Sequence, residues 1–388
     1  MPKPLHIVQV GYDDSVFVAD APSDTRLRQK LYAQLLAERR PGSRMTLLIL
    51  THQSGYQPAH DGLVTYLPVT GWAVLRPLRL FGQLFALHRE QKIDVIAAQT
   101  IFTDAWIALA FAAFTQAKVV GQIHMDVFSP LVHAPIGGRG MSGSTPLRVK
   151  VGLRLMRRLK VVRVVSQHLR SEILARGLHS NVVVVPVPVT MLATPPSSLQ
   201  HTEAGTRRVL YVGRLAAEKN LWRWLRVAQR VGQEAPDVEF EWAGDGDLRD
   251  ELLAEAERRG LKMQLHWLGA IPYNLLSASY GRAAVLLLTS DHESFGRVLV
   301  EAGWHGLPVV APRFAGIEEV VSDGETGLLC PPGDEPALAE AVLRLLRDPA
   351  LAGRMGAAAR TRMKSDFDPQ RLAEQWVDVL IRAAETRA

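Results

Sequence analysis

The feature that most restricts this chain is an alternation of short β-branched or apolar runs with segments of helical length. LHIVQVG (5–11), MTLLILT (45–51), IDVIAAQ (93–99), AKVVGQIH (117–124), VVRVVS (161–166) and NVVVVPV (181–187) read as strands. Helical stretches follow at 25–40, 78–91, 104–116, 146–159 and 167–176. Continuous apolar strands separated by helices require a mainly parallel sheet buried on both faces, the α/β class. After TPPSSLQHTEAGT (194–206), which is rich in Pro, Ser, Thr and Gly, the alternation restarts with RRVLYVG, VEFEWAG, MQLHWLG, AAVLLLT and LPVVAP. Two Rossmann-like, doubly wound domains facing across a cleft are expected. The expected boundaries are 1–193, a linker at 194–206, a second domain over 207–366 and a closing helix over 367–388.

With 388 residues the chain is long enough for two buried cores. Its net charge of +6 fits an anionic ligand or an anionic membrane surface without requiring nucleic acid. The single Cys330 excludes an internal disulfide and a multi-cysteine zinc site, and it suits a reducing compartment. The start of the sequence carries too short an apolar run for a secretory signal, and no run is long enough for a spanning helix. A cytoplasmic protein is expected, either free or peripheral on the inner face of a membrane.

In an open parallel sheet, ligands gather at the carboxyl ends of strands. The strand AAVLLLT runs into SDHESFGRVLVEAGWHGLPVVAP, where Glu293 and Glu301 stand eight apart with Phe295 and Gly296 between them. A helix amino terminus there suits a diphosphate, and Gly296 permits close backbone approach. Glu293 can accept from sugar hydroxyls and Glu301 from vicinal ribose hydroxyls; otherwise the pair is an acidic helix start and a solvated side chain. In VGRLAAEKNL (212–221), Arg214 and Lys219 lie five apart across a turn. Two fixed cations could stabilise a departing diphosphate without a metal; the alternative is a surface pair opening a helix.

Together with AGDGDLRDEL (243–252), HWLG (266–269) and AGIEEVVSDGETGLLCPPGD, these segments resemble the carboxyl-terminal domain of family 4 glycosyltransferases. They occur in family order over roughly 207–335. The resemblance implies a GT-B architecture, retention of anomeric configuration and a nucleoside-diphosphate sugar, UDP- or GDP-linked, as donor. It implies no cofactor and no metal. It places Glu293 on the donor hexose, Glu301 on the ribose, the amides around Phe295 and Gly296 with Arg214 and Lys219 on the diphosphate, and backbone at Gly269, Ala270 and Ile271 beside the base. It also implies that the closing helix returns to the first domain. GQIHMDVFSP (121–130) resembles the family segment whose histidine faces the transferring sugar, which singles out His124, with Asp126 as a further sugar or acceptor contact. Gly11 stands where the family has a glycine-rich loop, but here Tyr12, Asp13 and Asp14 follow. VPVPVT (185–190) replaces the family's Pro-Asn-Gly turn.

Asp245 and Asp247 mimic a metal-binding Asp-x-Asp inside a Gly-rich turn, and Arg249 spoils a dinucleotide fingerprint that Gly244 and Gly246 could begin. Residues 146–163 carry seven cations and no acid, with Leu147, Val151, Leu155 and Leu159 recurring every four. They read either as an ordinary helix with its stripe in the core or as a basic amphipathic helix on an anionic leaflet. The expected activity is hexose transfer to a glycan, lipid-linked or small-molecule hydroxyl acceptor, in polysaccharide or glycolipid synthesis. A catalytically inactive sugar-nucleotide-binding scaffold, an epimerase and a phosphorylase are the alternatives.

Overall fold

A computed structural model describes residues 2–18, 23–72, 74–128, 135–136, 139–140, 146–190 and 207–386. The expected linker, 194–206, lies outside the described residues. The chain divides into two compact units: Met1–Phe128, Ser142–Thr190 and Pro369–Ala388 form the first; Ser129–Met141 and Met191–Asp368 form the second.

The sheet of the first unit contains β1 (His6–Gly11), β2 (Arg44–Leu50), β3 (Ala59–Asp61), β4 (Val64–Val69), β5 (Val95–Ala98), β6 (Lys118–Ile123), β7 (Val161–Val164) and β8 (Val182–Val184). Their order across the sheet is β8-β7-β6-β5-β1-β2-β4-β3, parallel throughout except for the β3–β4 hairpin. That hairpin was not legible in the sequence, because AHD and VTYLPV mix polar residues and a proline into a short edge. Right-handed crossovers put the helices that move the chain from β4 towards β8 on one face of the sheet. These are Arg76–Glu90, Thr103–Phe114, Pro146–Met156 and Gln167–Ala175. Helix Asp24–Arg39 moves the chain the other way and lies on the opposite face. Pro369–Glu385 packs beside it, with Trp376, Val377 and Leu380 entering the same core as Ile7, Tyr32, Leu36 and Met45. Arg39 donates to Asp378 at 2.7 Å across that helix pair.

The sheet of the second unit contains β9 (Arg208–Val212), β10 (Glu239–Ala243), β11 (Leu265–Trp267), β12 (Val285–Leu287), β13 (Val309–Pro312) and β14 (Gly327–Cys330), in the order β11-β10-β9-β12-β13-β14 and wholly parallel. Trp224, Phe240 and Trp242 pack edge to face at its centre, with ring centroids 5.4–5.6 Å apart. Both sheets have the α/β character expected from the alternating sequence.

The basic stretch 146–163 is not one helix. The helix stops at Met156 and β7 begins at Val161. Ahead of β7 the buried positions of the stretch are Val149, Gly152, Met156 and Leu159, so of the expected stripe only Leu159 is in the core, while Leu147 is exposed. Gly152 allows that close packing: a Cβ there would stand 2.8 Å from the carbonyl oxygen of Ile101. Arg163, expected among the surface cations, is only 2% exposed.

Candidate functional site

In the second unit the strand ends converge on glycine-lined loops. Gly213 follows β9 and Gly244 follows β10, and both adopt positive φ (148° and 150°). A Cβ on Gly244 would collide with the carbonyl oxygen of Gly213. Gly244 N–H donates to Gly269 O at 2.8 Å, and Leu215 N–H to Asp245 O at 2.9 Å. These contacts tie the loops after β9, β10 and β11 into one rim. The sequence GDGD is therefore a packing device. Asp245 accepts from the Gly246 amide at 2.8 Å and stands 3.8 Å from Arg249. Among the described residues no group of three or more His, Cys, Asp or Glu is arranged to hold a metal.

The loop after β9 also meets the loop after β12. After β9 the chain makes a short turn (Ala217–Lys219) and passes through Asn220, whose left-handed φ of 44° is the only positive value at a non-glycine among the described residues. Asn220 caps helix Leu221–Glu234 by accepting from Arg223 N. Its side-chain amide donates to Asp291 at 2.8 Å, and Arg223 donates to the same carboxylate at 2.5 Å. Thr289 donates to the carbonyl of Asn220 at 3.1 Å. This lattice holds Lys219 so that its ammonium meets Glu293 Oε2 at 2.8 Å, with both side chains largely buried. The sequence offered Lys219 and Glu293 separately; the structure makes them an ion pair across two loops. Asn220, Arg223 and Asp291 were missed by sequence reasoning, and the only available signal was an Asn immediately before an apolar-periodic run.

Arg214 is placed differently from Lys219. Its side chain is 73% exposed and pairs with Glu218 at 2.5 Å, while its carbonyl accepts from Tyr211 Oη at 2.7 Å. The structure therefore does not bring Arg214 into contact with the Lys219–Glu293 pair. Burial, reinforced by the nearby Glu293 and Glu218 carboxylates, pushes the Tyr211 phenol well above its ordinary value, so Tyr211 acts as a neutral donor.

Gly296, at φ 78°, opens helix Arg297–Trp304. A Cβ there would lie 3.3 Å from Glu293 Cγ. Gly316, in the segment AGIEEVV, lies against the backbone of Glu293 and Ser294, and a Cβ would be 2.6 Å from Ser294 O. The loop carrying Glu293 is thus clamped between two glycines. Phe295 turns its ring into the core, with its centroid 5.7 Å from that of Phe367, so only its backbone can line the rim. Glu301 is 3% exposed; Tyr280 Oη donates to it at 2.6 Å and Arg297 at 3.1 Å. It is a held carboxylate; Arg297 is its i,i+4 neighbour on the same helix, while Tyr280 is a partner that spacing could not reveal. Gly269 sits on the rim at φ 70°, and Ile271 is half-buried just beyond it.

In the first unit, His124 follows β6 directly. Burial, with repulsion from Arg163 and Arg28, pushes its imidazole down to about 3, so it is neutral near pH 7. The residue as a whole is half-buried, yet its Nε2 is buried and has no hydrogen-bond partner among the described residues. An orphaned polar atom of this kind calls for a ligand or water. Parallel register places Gln122, two residues earlier on the same face, opposite Arg163. Arg163 donates to Gln122 at 3.0 Å, to Val185 O and Pro186 O at 2.8 Å each, and stacks 4.4 Å from the Trp376 ring centroid. This explains VPVPVT: the two carbonyls are read by a buried guanidinium, and Thr190 is pinned to Asp24 at 2.8–3.0 Å.

Asp126 accepts from Phe128 N at 2.8 Å and lies 3.7 Å from His168. Its carboxylate is occupied in shaping the turn after His124. Gly11 ends β1, where a Cβ would meet Gln99 Oε1 at 2.9 Å, and that same oxygen accepts from Tyr12 N. Asp13 and Asp14 are taken up by Ser15, Thr25 and Thr51. The loop after β1 is a hydrogen-bonded polar turn.

Two family models match adjoining parts of the chain: Glycosyltransferase Family 4 over residues 32–192, and Glycosyl transferases group 1 over residues 200–362. A glycogen synthase of Mycobacterium tuberculosis is 35% identical over 188 residues, 48% of this chain and 45% of its own. The match thus spans less than half the length of that curated relative. Among solved structures, a sucrose-phosphate synthase from Thermosynechococcus elongatus superposes with a TM-score of 0.82 at 20% identity, covering 97% of this chain and 98% of its own. HepE of Anabaena in complex with UDP-glucose does so with a TM-score of 0.74 at 19% identity, covering 97% and 100%. These structural likenesses carry the fold alone, a two-unit GT-B architecture.

Proposed function

The chain belongs to the family 4, group 1 glycosyltransferases, and from that premise we propose that it transfers a hexose from a nucleoside-diphosphate sugar to a hydroxyl acceptor with retention of configuration and without a metal. The observation that carries this reading is the Lys219–Glu293 ion pair, held at the strand ends beside the opening of helix Arg297–Trp304. It supplies a cation for a diphosphate and a carboxylate for sugar hydroxyls within a few ångströms of each other. A UDP- or GDP-linked sugar fits that chemistry, and the UDP-glucose bound by HepE makes UDP the first base to test.

In this scheme the second unit binds donor and the first binds acceptor. The diphosphate lies on Lys219 and the amides around Phe295 and Gly296, with Arg214 swinging in from solvent. Glu301, already braced by Tyr280 and Arg297, takes the ribose, and the backbone at Gly269, Ala270 and Ile271 flanks the base. Neutral His124 offers its unpartnered Nε2 to a sugar hydroxyl, with Asp126 holding the turn that aims it. Gly11, packed against Gln99 at the end of β1, offers only its backbone to a ligand. The bond from the anomeric carbon to the diphosphate oxygen breaks, the bond to the acceptor oxygen forms on the same face, and the acceptor proton passes to the departing diphosphate. Lys219 and the helix amides stabilise that charge, a role in which one donor contributes about 3–4 kcal/mol.

The test is thermal unfolding with UDP, GDP, ADP and their hexose conjugates, each with and without EDTA, followed by NMR of the product's anomeric proton. The expected result is an EDTA-insensitive shift of several degrees with one nucleotide and a product of unchanged anomeric configuration. A shift that disappears with EDTA sinks the metal-free site. Binding without turnover for any acceptor makes the chain a sugar-nucleotide-binding scaffold, turnover without acceptor an epimerase, and turnover only with inorganic phosphate a phosphorylase.

A further inference from the structure

The first unit has an outer surface that donor chemistry does not use. Eleven large apolar side chains of this unit are exposed, against three in the second, among the described residues. Seven of the eleven lie on the helix layer that faces away from the C-terminal helix: Trp72, Val74, Leu75, Leu78, Phe114, Leu147 and Leu174. Trp72 and Val74 are each 84% exposed and Leu78 70%, in the turn leading into helix Arg76–Glu90. Phe114 continues the patch, its ring 6.4 Å from those of Phe81 and Phe85. Helix Pro146–Met156 joins the same layer, since Arg148 donates to Thr103 at 2.8 Å at the head of the neighbouring helix.

Charge follows the same boundary. Residues 62–89 contain no acid and include Arg76, Arg79 and Arg89. Residues 127–171 contain none either, and Lys150, Arg154, Arg157 and Arg158 are exposed there. The acids of the layer are few and marginal: Glu90 ends its helix, Asp104 is buried, and Glu172 is paired with Arg176. Apolar tips flanked mainly by cations complement one kind of surface: an interfacial bed of acyl chains under anionic headgroups. A protein partner of ordinary composition would bring acids and cations to a rim of mixed sign.

We propose that this helix layer rests on an anionic lipid bilayer, with Trp72, Val74, Leu75 and Leu78 entering the interface and Arg76, Arg79 and the 150–158 cations holding headgroups. The inference deepens the acceptor side of the proposed transfer, because a unit seated in this way would meet a lipid-borne hydroxyl. Its physical claim, that this surface binds lipid, stands whether or not transfer occurs.

The experiment is co-sedimentation of the full chain with phosphatidylcholine vesicles containing about one-third phosphatidylglycerol, and with phosphatidylcholine alone. Binding is expected on the anionic vesicles and should weaken when NaCl rises from about 0.1 to about 0.5 M. The double variant Trp72→Ser/Leu78→Ser should lower partitioning by roughly tenfold or more. Arg76→Gln/Arg79→Gln should lower it less and remove part of the salt dependence. An unchanged nucleotide-induced thermal shift in each variant shows that the fold and donor site survive, so loss of vesicle binding cannot be confused with failure of the donor reading. Wild-type protein that stays in the supernatant overturns the proposal. So does a Trp72→Ser/Leu78→Ser variant that binds as well as wild type. Self-association in sedimentation velocity, abolished by that variant in the absence of vesicle binding, would assign the patch to a second copy of the chain instead.

Discussion

The two units share an architecture and differ in nearly everything that bears on ligands. Residues 1–190 carry 22 basic and 11 acidic side chains, a net of +11, whereas residues 191–388 carry 23 and 28, a net of −5. The first unit concentrates its distinctive chemistry in the buried cations Arg163 and Arg28 beside a neutral His124 and in an exposed apolar, acid-poor helix layer. The second unit, though acidic overall, pairs a lysine with a carboxylate across two loops, with Gly296 and Gly316 packed against the loop that carries the carboxylate. One half gathers its polar side chains into short-range contacts at the strand ends. The other presents a broad surface by composition.

The sharpest way to break this comparison is at the ion pair. Lys219→Ala should lower kcat by about 10²–10³-fold, the usual cost of one transition-state cation or donor. The fold should tolerate the change, since Asn220, Arg223 and Asp291 keep the two loops together. Steady-state turnover beside a melting curve checks both halves of the statement, and a loss below tenfold would shift the diphosphate role to Arg214.

Next comes the glycine rim. Gly244→Ala forces a Cβ into the Gly213 carbonyl at a φ of 150°, which should cost about 3 kcal/mol or more in urea unfolding of the second unit. Gly260→Ala, also at positive φ but in open space, should cost roughly 1 kcal/mol. Equal losses at the two positions would show that backbone strain, and not loop contact, governs the rim.

In the first unit, Arg163→Met strands the Val185 and Pro186 carbonyls in the core and removes the guanidinium from Trp376. A loss of roughly 3 kcal/mol is expected, together with an upward move of the His124 titration when followed by NMR. A destabilised variant with an unmoved histidine would separate the packing role of Arg163 from its electrostatic one.

The smallest effect is the pH dependence. His124 is held at about 3 in the native state against an ordinary value of 6.5, so between those values the unfolded chain binds the proton and the native state does not. Stability should therefore decline as pH falls from about 6.5 towards about 3. His6, lowered by burial, acts in the same direction. His124→Gln should flatten part of this slope in urea midpoints measured across the window. An identical slope in the variant would mean that the histidine is solvated in solution.

Much of the second unit could be read in advance because its site is written in contiguous segments at strand ends, where residue type and spacing already constrain geometry. Glu293, Glu301, Lys219 and Gly296 were singled out as candidates in this way. Arg214 shows the limit of spacing: five residues from Lys219, it points to solvent because the intervening turn rotates it away. The first unit was less legible. Its helix over 146–159 and its strand at VVRVVS were read separately, but the count of seven cations over 146–163 grouped Arg163 with the surface charges, whereas it is an internal brace. The Trp72–Leu78 patch gave no periodic signal, since the turn holding Trp72 and Val74 has none.

The sequence by itself determined the α/β class, the two-part organisation, the family and the segments that form the candidate site, because each rests on local periodicity or on residues near one another in the chain. Only the tertiary structure decided which of those residues meet. Lys219 and Glu293 are 74 positions apart, Arg163 and Pro186 are 23, and helix Pro369–Glu385 packs on helix Asp24–Arg39 from the far end of the chain. Crossover connections and sheet order set those meetings, and no local pattern encodes a contact whose partner lies on another strand.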